Sequence, residues 1–346
     1  MSNEHQSVYL IWFERAFPER YASLLEGVSA TAESSSDTPN APLAALPRAH
    51  AIIASAKLQY NGALMDRAPN LCVISRTGIG TDNISLADAT ARGIVVCNAP
   101  AATTVSTAEM TITLLLAVAR DLKGLGRALE RGQKRDFFNT YRGMEVQGLL
   151  LGLVGLGRIG SQVARMAQSL GMLVMAYDPY LAKDRVVASG IELAPDLESV
   201  LRPADVVSLH IPSTAETRHL MNAARLAEMK PGAILINTAR GLLVDERALL
   251  ESLEKGHLRG AGLDVLQEEP PQPDHPLLNR DDVIITPHIA AATEAGRDRL
   301  WKTAIAQALQ VLRNERPPDI VNPEVWSTRK SLGPIPNGDG GEATGL

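Results

Sequence analysis

The chain has 346 residues, of which 45% are hydrophobic and 21% charged, and its formal net charge is −5. This length accommodates two domains, and a pI of about 5.9 argues against a nucleic-acid partner. The most apolar helical segment, residues 111–119, is shorter than the ~20 residues that a membrane span needs. Residues 1–7 are polar and carry no signal-peptide pattern, and Cys72 and Cys97 are typical of core residues in a reducing compartment. We therefore expect a cytoplasmic protein that contacts no membrane.

The first hundred residues alternate short apolar segments with helical patterns. The predicted strands span residues 8–12, 51–54, 72–75 and 94–97, and the predicted helices span residues 19–26, 61–67 and 86–91. This alternation is typical of a parallel sheet that is covered by helices on both faces. Residues 29–43 are rich in Ser, Thr, Ala, Pro and Asn, and this composition predicts a flexible surface loop.

A long apolar helix over residues 104–120, capped by Thr103 or Thr104, separates this array from a second one. The second array has predicted strands at residues 149–154, 172–177, 205–209, 233–237, 260–264 and 283–286, and helices near 158–170, 196–201, 217–228 and 245–255. Six strands match the doubly wound dinucleotide-binding fold. A final helix over residues 293–314 is expected to pack on the first array, because the second array is already complete.

The most informative segment connects the first two strands of the second array. It reads Gly155-Leu156-Gly157-Arg158-Ile159-Gly160, and an acid, Asp178, ends the following strand. Gly155 permits a tight turn, Gly157 allows a pyrophosphate to approach, and Gly160 lets the helix pack closely on the strand. The N–H groups of the helix N-terminus can bind the phosphates. Because Asp178 can bind a ribose diol and repels a 2′-phosphate, the pattern favours NAD over NADP.

Glycine spacing alone is weak evidence for such a site. Residues 78–80 and 124–126 also read G-x-G, but they lack both the third glycine and an acid in register. A tight turn without a ligand is the alternative interpretation, and the complete strand, turn, helix, strand and acid order favours the dinucleotide site. Arg158 and Ile159 of the turn are further candidate cofactor contacts. For His210, at the end of another strand, cofactor contact and a purely structural role stay open.

Side chains at the carboxyl ends of three later strands suggest the chemistry. Ligands of open α/β sheets bind at this edge, and the strands end near Arg240, Asp264 with Glu268 and Glu269, and His288. A histidine can give or take a proton near neutral pH, and a carboxylate can fix its tautomer. An arginine can bind a substrate carboxylate with two parallel hydrogen bonds. Such a trio suits hydride transfer between NAD and a 2-hydroxy or 2-oxo acid.

These segments resemble the D-isomer-specific 2-hydroxyacid dehydrogenase family. The resemblance rests on residues 155–160 with Asp178, and on residues 237–241, 262–265, 268–270 and 286–288, while residues 76–83 and 321–324 resemble the remaining landmarks. It covers about residues 50–325. It implies that Arg240 binds the substrate and that His288 is the acid/base with Glu269 as its partner. Glu268 remains a competitor for the role of Glu269.

The resemblance implies further contacts. Backbone N–H groups of Ile79 and Gly80 would hold the substrate carboxylate, and Asp264 would bind the nicotinamide carboxamide. Thr238 and Ala239 are further expected cofactor contacts. No metal is expected, because no Cys/His cluster has the spacing of metal ligands.

The predicted fold is α/β with two domains, in which a Rossmann-type doubly wound parallel sheet is inserted in a smaller flavodoxin-like α/β substrate domain. The substrate-binding domain would span residues 1–101 and 293–326, the NAD-binding domain residues 102–292, and a disordered tail residues 327–346. No regulatory domain is expected after residue 325, in contrast to longer phosphoglycerate dehydrogenases. The resemblance also implies a homodimer that includes helix 104–120.

Two departures from the family pattern leave the substrate open. The family usually has glycine and a small polar residue shortly after its histidine, whereas this chain has alanines between His288 and Thr293. Where the family often has a tryptophan at the active-site mouth, this chain offers Phe137, Phe138 and Tyr141, which we interpret as core or interface residues. Glyoxylate, hydroxypyruvate, 3-phosphoglycerate and a broad set of 2-oxo acids remain open as substrates. The alternative function is an NAD(H)-sensing binding protein or corepressor without turnover.

Overall fold

The computed structural model describes residues 9–26, 30–34, 43–134, 136–181 and 190–331. The strands are β1 Tyr9–Phe13, β2 Ala30–Ser34, β3 Ala51–Ala54, β4 Val73–Arg76, β5 Val95–Cys97, β6 Leu150–Val154, β7 Leu173–Tyr177, β8 Glu192–Leu193, β9 Val206–Leu209, β10 Ile234–Asn237, β11 Gly260–Leu263 and β12 Val283–Ile285. The α-helices are α1 Gly62–Met65, α2 Leu86–Ala91, α3 Thr104–Ala119, α4 Leu122–Glu130, α5 Phe137–Thr140, α6 Arg158–Ser169, α7 Glu198–Leu201, α8 Ala223–Glu228, α9 Glu246–Glu254 and α10 Glu294–Leu312. The 3-10 helices are Glu19–Leu25, Leu46–Arg48, Gly241–Leu243, Pro276–Asn279 and Pro323–Ser327.

These strands and helices are divided between two compact units. The first unit consists of residues 1–103 and 294–346, and the second unit consists of residues 104–293. Both contain an all-parallel sheet, so the predicted two-domain α/β fold is confirmed. The breaks follow Thr103 and Thr293, whereas the sequence placed them after residues 101 and 292.

The sheet of the first unit has five strands in the order β2-β1-β3-β4-β5, which is the flavodoxin-like order. Successive residues of β1 enter different cores, because side chains of a strand alternate between faces. Ile11 belongs to the core that includes Ile305 of α10, whereas Trp12 belongs to the core that includes Ile74. Helix α10 therefore packs on the first array, as predicted.

Three sequence predictions differ from the structure. The predicted flexible loop over residues 29–43 contains strand β2, which pairs in parallel with β1; Ala30 and Ala32 pack against the adjacent core, but side chains this small are a weak apolar signal in the sequence. Strand β8 is a seventh strand that was not predicted in the second array, and it pairs with β7 through only two residues. The predicted helix over residues 19–26 is a 3-10 helix over Glu19–Leu25.

The sheet of the second unit has the order β12-β11-β10-β9-β6-β7-β8. Starting from β6, this is the doubly wound order 3-2-1-4-5-6 with one additional strand, β12. The chain reverses direction across the sheet between β6 and β9, and ligands of such folds bind at the carboxyl ends of the strands beside that reversal. Helix α3 packs against this sheet, since a Cβ on Gly262 would lie 2.8 Å from the Cβ of Leu114.

The C-terminal segment and the two cysteines can also be compared with their predictions. Of the predicted tail over residues 327–346, positions 332–346 lie outside the described residues, whereas the N–H of Lys330 donates to the carbonyl of Gly93 at 2.8 Å. Cys72 and Cys97 are buried free thiols, as expected for core residues. Within the described ranges, no helix has both the length and the apolar character needed to cross a membrane.

Candidate active site

The glycine turn after β6 fits a dinucleotide phosphate. Gly155 has a φ of +97°, and a Cβ there would lie 2.6 Å from the carbonyl oxygen of His210. A Cβ on Gly160 would lie 2.3 Å from the oxygen of Gly155. In contrast, no heavy atom of the described residues outside the immediate chain neighbourhood lies within 4 Å of a Cβ on Gly157, the N-cap of α6. The first and third glycines are thus required by packing, while the second leaves space at the helix N-terminus for a phosphate.

Asp178 lies directly beside this turn. It follows β7, and its carboxylate accepts the N–H of Leu156 at 2.9 Å and the N–H of Tyr180 at 3.0 Å. These bonds fix the acid at the carboxyl edge of the sheet, where the sequence predicted a ribose contact. Arg158 and Ile159 form the first turn of α6, so both stand at the same end of that helix.

His210 and Thr238 are held by neighbouring hydroxyl groups. Nε2 of His210 lies 2.9 Å from Oγ of Ser208, and burial lowers the pKa of His210 to about 4. The ring is therefore neutral near pH 7. The hydroxyl of Thr238 lies 2.9 Å from that of Thr111. His210 follows β9, which lies beside the reversal of the sheet, and Thr238 follows β10, the next strand, so both stand at the carboxyl edge where a cofactor binds.

Asn237 shapes the segment that carries Arg240. Its Oδ1 accepts the N–H of Ala239 at 3.0 Å, and its Nδ2 donates to the carbonyl of Arg240 at 2.8 Å. This is the side-chain-to-backbone turn that asparagine favours. Asn237 was not predicted to have a role of its own, although an asparagine at a strand end is the signal for such a turn. Arg240 additionally donates from Nη1 to the Ala239 carbonyl at 2.7 Å.

His288 and Glu269 are in direct contact. Nδ1 of His288 lies 2.7 Å from Oε2 of Glu269, and the other oxygen of Glu269 accepts the N–H of Leu266 at 3.1 Å. The backbone of His288 has a φ of +53°, which is uncommon for a residue other than glycine and often marks a functional position. The neighbouring Glu268 instead accepts a hydrogen bond from Nε2 of Gln272 at 2.8 Å. The structure therefore brings Glu269, and not Glu268, to His288.

The charges of this pair support each other. The hydrogen bond with Glu269 is the largest influence on the pKa of His288 and raises it above the ordinary value, while burial and the charge of Arg240 act against it. Burial opposes ionisation of Glu269, but contacts with His288 and Leu266 and the charge of Arg240 together lower the pKa of its carboxyl. Each group thus favours the charged form of the other, with the guanidinium of Arg240 nearby.

Asp264 holds the backbone around His288. Its carboxylate is buried and accepts hydrogen bonds from the hydroxyl of Thr286 at 2.5 Å and from the N–H groups of Ile289 and Ala290 at 3.0 and 2.8 Å. Its carbonyl oxygen accepts the N–H of His288 at 2.8 Å. The sequence predicted a contact with the nicotinamide carboxamide, and the structure adds this fixation of the histidine loop.

Ile79 and Gly80 belong to the first unit, beyond the carboxyl end of β4. The carbonyl of Ile79 accepts a hydrogen bond from Nδ2 of Asn98 at 2.7 Å, and that of Gly78 accepts the N–H of Ala99 at 2.9 Å. These bonds fix the carbonyl side of the loop. Among the described residues we find no hydrogen-bond partner for the N–H groups of Ile79 and Gly80, and consecutive N–H groups of this kind can bind an anion.

Of the two packing roles predicted for Phe138, core and interface, the structure excludes the core. Its side chain is 93% exposed, so it contributes nothing to the core of the described unit. Tyr141 instead forms a hydrogen bond from its hydroxyl to the carbonyl of Arg120 at 2.9 Å. Within the part of the chain that the structure describes, no group of three or more His, Cys, Asp or Glu residues could hold a metal ion.

The fold and this site define a two-domain α/β protein with a dinucleotide-binding unit. Residues 112–290 match the family described as D-isomer specific 2-hydroxyacid dehydrogenase, NAD binding domain. The chain belongs to this family, and the second unit therefore contains its NAD-binding domain. The predicted resemblance is confirmed.

Relatives of known name extend the match to most of the chain. The D-3-phosphoglycerate dehydrogenase of Methanocaldococcus jannaschii is 43% identical over 75% of this chain and 49% of its own length. The glyoxylate reductase of Thermofilum pendens is 42% identical over 78% of this chain and 80% of its own length. The chain thus spans about half the length of the former relative. The crystal structure of D-lactate dehydrogenase from Aquifex aeolicus, complexed with NAD and lactic acid, superposes with a TM-score of 0.76, at 29% identity over 94% of this chain and 99% of that one.

Proposed function

We propose that the chain is an NAD-dependent D-2-hydroxyacid dehydrogenase, which transfers a hydride between nicotinamide and a D-2-hydroxy acid or 2-oxo acid. The observation that carries the proposal is the 2.7 Å contact between Nδ1 of His288 and Glu269. Because Nδ1 is bonded to Glu269, proton exchange with the substrate takes place at Nε2 of the same ring. A histidine oriented by a carboxylate is the arrangement that general acid/base catalysis needs.

His288, Glu269 and Arg240 of the second unit each have a different proposed role in the reaction. Bound NAD supplies or accepts the hydride. During reduction, Nε2 of His288 donates a proton to the oxygen of the 2-oxo group as it becomes a hydroxyl, and Glu269 stabilises the imidazolium beforehand. Arg240 binds the substrate carboxylate and polarises the carbonyl. In the oxidation direction, neutral His288 accepts the hydroxyl proton.

NAD would be held at the carboxyl edge of the second sheet. Gly155, Gly157 and Gly160 would admit the pyrophosphate at the N-terminus of α6, where Arg158 and Ile159 form the first turn. Asp178 would bind the ribose and exclude a 2′-phosphate. The remaining proposed cofactor contacts are His210, Thr238, Ala239 and Asp264.

The substrate is proposed to be a small 2-hydroxy or 2-oxo acid. The relatives named D-3-phosphoglycerate dehydrogenase and glyoxylate reductase support this chemical class without selecting one member. The N–H groups of Ile79 and Gly80 and the guanidinium of Arg240 are the proposed donors to the substrate carboxylate.

A homodimer in the cytoplasm is proposed as the working form. Helix α4 and the segment after it expose large apolar side chains, at 57% for Leu122, 67% for Leu129 and 93% for Phe138. Large exposed apolar side chains that occur close together along the chain are candidates for a surface that a partner covers. A second copy of the chain is the partner that the family resemblance implies.

A substrate panel tests the proposed activity. The purified chain is offered glyoxylate, hydroxypyruvate, 3-phosphohydroxypyruvate and unbranched 2-oxo acids with NADH or NADPH, and consumption of the reduced cofactor is recorded. We expect turnover with NADH, and a drop of ~10²–10⁴-fold in kcat for His288→Ala with NADH binding retained. His219→Ala is the matched control, because His219 also has a positive φ, of +48°. NADH binding without turnover on any 2-oxo acid would instead favour a cofactor-sensing protein.

A further inference from the structure

A second glutamate–histidine pair lies behind the loop that carries Glu269. Glu246 begins α9, and its Oε1 accepts the N–H of Gln267 at 2.6 Å. Its Oε2 lies 3.1 Å from Nε2 of His275. Both side chains are largely buried, with exposed fractions of 16% for Glu246 and 19% for His275. One carboxylate thus holds the loop between β11 and the 3-10 helix Pro276–Asn279 at two points.

The imidazole of His275 contacts Glu246 through only one of its two ring nitrogens, Nε2. Its Nδ1 is buried, and within the described ranges no hydrogen-bond partner reaches that atom. A ring nitrogen that faces a carboxylate oxygen must carry a proton to bond with it, so the proton lies on Nε2. The backbone N–H of His275 donates to the carbonyl of Gln272 at 3.0 Å, which fixes the end of the loop.

The backbone that Glu246 holds is packed directly against the segment of Arg240. A Cβ on Gly241 would lie 2.0 Å from the carbonyl carbon of Leu266 and 2.6 Å from the nitrogen of Gln267. The N–H of Leu266 in turn donates to Glu269. Movement of the Leu266–Gln267 peptide would therefore displace Glu269 and press on the residue that follows Arg240.

We propose that Glu246, together with His275, positions the Glu269 carboxylate against His288. Glu246 is a positioning residue, because it acts on the reaction only through the backbone of Gln267 and Leu266. The inference deepens the proposed dehydrogenase function and rests on it for the kinetic part of its test. A glutamate with a purely structural role at the start of α9 would alter stability without altering the titration of His288.

The test compares Glu246→Gln and His275→Ala with Glu251→Gln, a matched control on the same helix whose carboxylate pairs with Arg247 at the surface. Full-length proteins labelled with ¹⁵N-histidine are titrated, and the resonance of His288 is identified by its loss in His288→Ala. The charged groups around this ring are Glu269, Asp264 and Arg240, and none of them is substituted. We expect its pKa to fall in both test variants and to be unchanged in the control.

Kinetic measurements accompany the titration. A displaced Glu269 should lower reductive kcat/KM by roughly ten- to a hundredfold, because small misplacements of catalytic groups cost rates of this size, while NADH affinity stays near that of the unsubstituted protein. Thermal unfolding identifies a variant that has lost its fold; if Glu246→Gln does so, His275→Ala provides the result, because it releases the second oxygen of Glu246 and so loosens the hold of that carboxylate on Gln267. Unchanged titration of His288 in folded variants would overturn the inference. A shifted titration in a protein without turnover would retain it and reject only the proposed function.

Discussion

Asp264 and His288 are joined through the backbone, and the side chain of Asp264 holds the residues after His288, although 24 positions separate the two in the sequence. The His288 N–H donates to the Asp264 carbonyl at 2.8 Å, and the carboxylate of Asp264 accepts the two N–H groups that follow His288. A non-glycine residue at positive φ persists only where its surroundings hold it. The buried carboxylate of Asp264 thus provides the contacts that keep the imidazole of His288 in place.

Substitution of Asp264 by asparagine should impair both stability and proton transfer. In Asp264→Asn the side-chain NH₂ replaces an acceptor and faces an N–H donor, which we expect to destabilise the fold by about 1–3 kcal/mol. The pKa of His288, raised first by Glu269 and also by the charge of Asp264, should fall. Thermal unfolding and the pH dependence of reduction measure these two effects.

Thr286→Val is the matched control for that experiment. It removes one hydroxyl donor to Asp264 but retains the charge of the carboxylate and its two backbone contacts. We expect it to lower stability without moving the pKa of His288 downward. If Asp264→Asn were as stable and as active as the unsubstituted protein, the role of this carboxylate in holding the loop would be wrong.

Glu269→Gln should move the pH profile of reduction. The contact with Glu269 raises the pKa of His288, and reduction requires the protonated ring, so kcat/KM falls as pH rises through that pKa. Loss of the carboxylate charge lowers the pKa, and the falling limb should therefore shift to lower pH. Stopped-flow or steady-state reduction rates over a pH series measure the shift, and the Kd for NADH should stay unchanged.

Glu268→Gln is the adjacent control for this prediction. Glu268 bonds to Gln272 and not to His288, so its substitution should leave the falling limb in place. A shift with Glu268→Gln and none with Glu269→Gln would show that the wrong carboxylate had been chosen. A profile unaffected by either substitution would mean that His288 operates without a carboxylate partner.

The sequence predicted the edge of the sheet but could not resolve the loop at that edge. Strands β10, β11 and β12 end near Arg240, Asp264 and His288, and parallel strands place their carboxyl ends together. Glu268 and Glu269 are neighbours in an irregular loop, so the choice between them depends on long-range contacts such as that of Glu246 with Gln267. A contact between residues this far apart in the chain produces no pattern in the local sequence.

The short edge strands were missed for a related reason. Strand β2 reads Ala-Thr-Ala-Glu-Ser and β8 has only two residues. Neither has the apolar run from which strands are predicted. Both are edge strands, which pair with the backbone of one neighbouring strand, and only Ala30 and Ala32 of β2 and Leu193 of β8 pack against a core. Most interior strands, in contrast, are buried on both faces and therefore carry apolar runs that mark them in the sequence.

Leu129→Glu should weaken the proposed homodimer. Leu129 is 67% exposed on α4, and burial of a charge in a dimer interface without a partner is unfavourable. We expect sedimentation velocity at micromolar concentration to show a dimer for the unsubstituted chain and a larger monomer fraction for the variant. Leu173→Glu is the control, because Leu173 is similarly exposed, at 62%, but lies at the start of β7. Monomer alone for the unsubstituted chain would contradict the proposal.

Substitutions of Asp178 should separate ribose binding from charge repulsion in cofactor choice. Asp178→Asn keeps an oxygen for the N–H of Leu156 or Tyr180 and removes the negative charge, so NADPH should bind more tightly while the turn is retained. Asp178→Ala removes the ribose contact as well, and we expect the preference for NADH to narrow mainly because NADH binds more weakly. Fluorescence titration of the unsubstituted protein and both variants with NADH and NADPH gives the six Kd values needed. Equal use of NADPH and NADH by the unsubstituted protein would show that Asp178 does not select the cofactor.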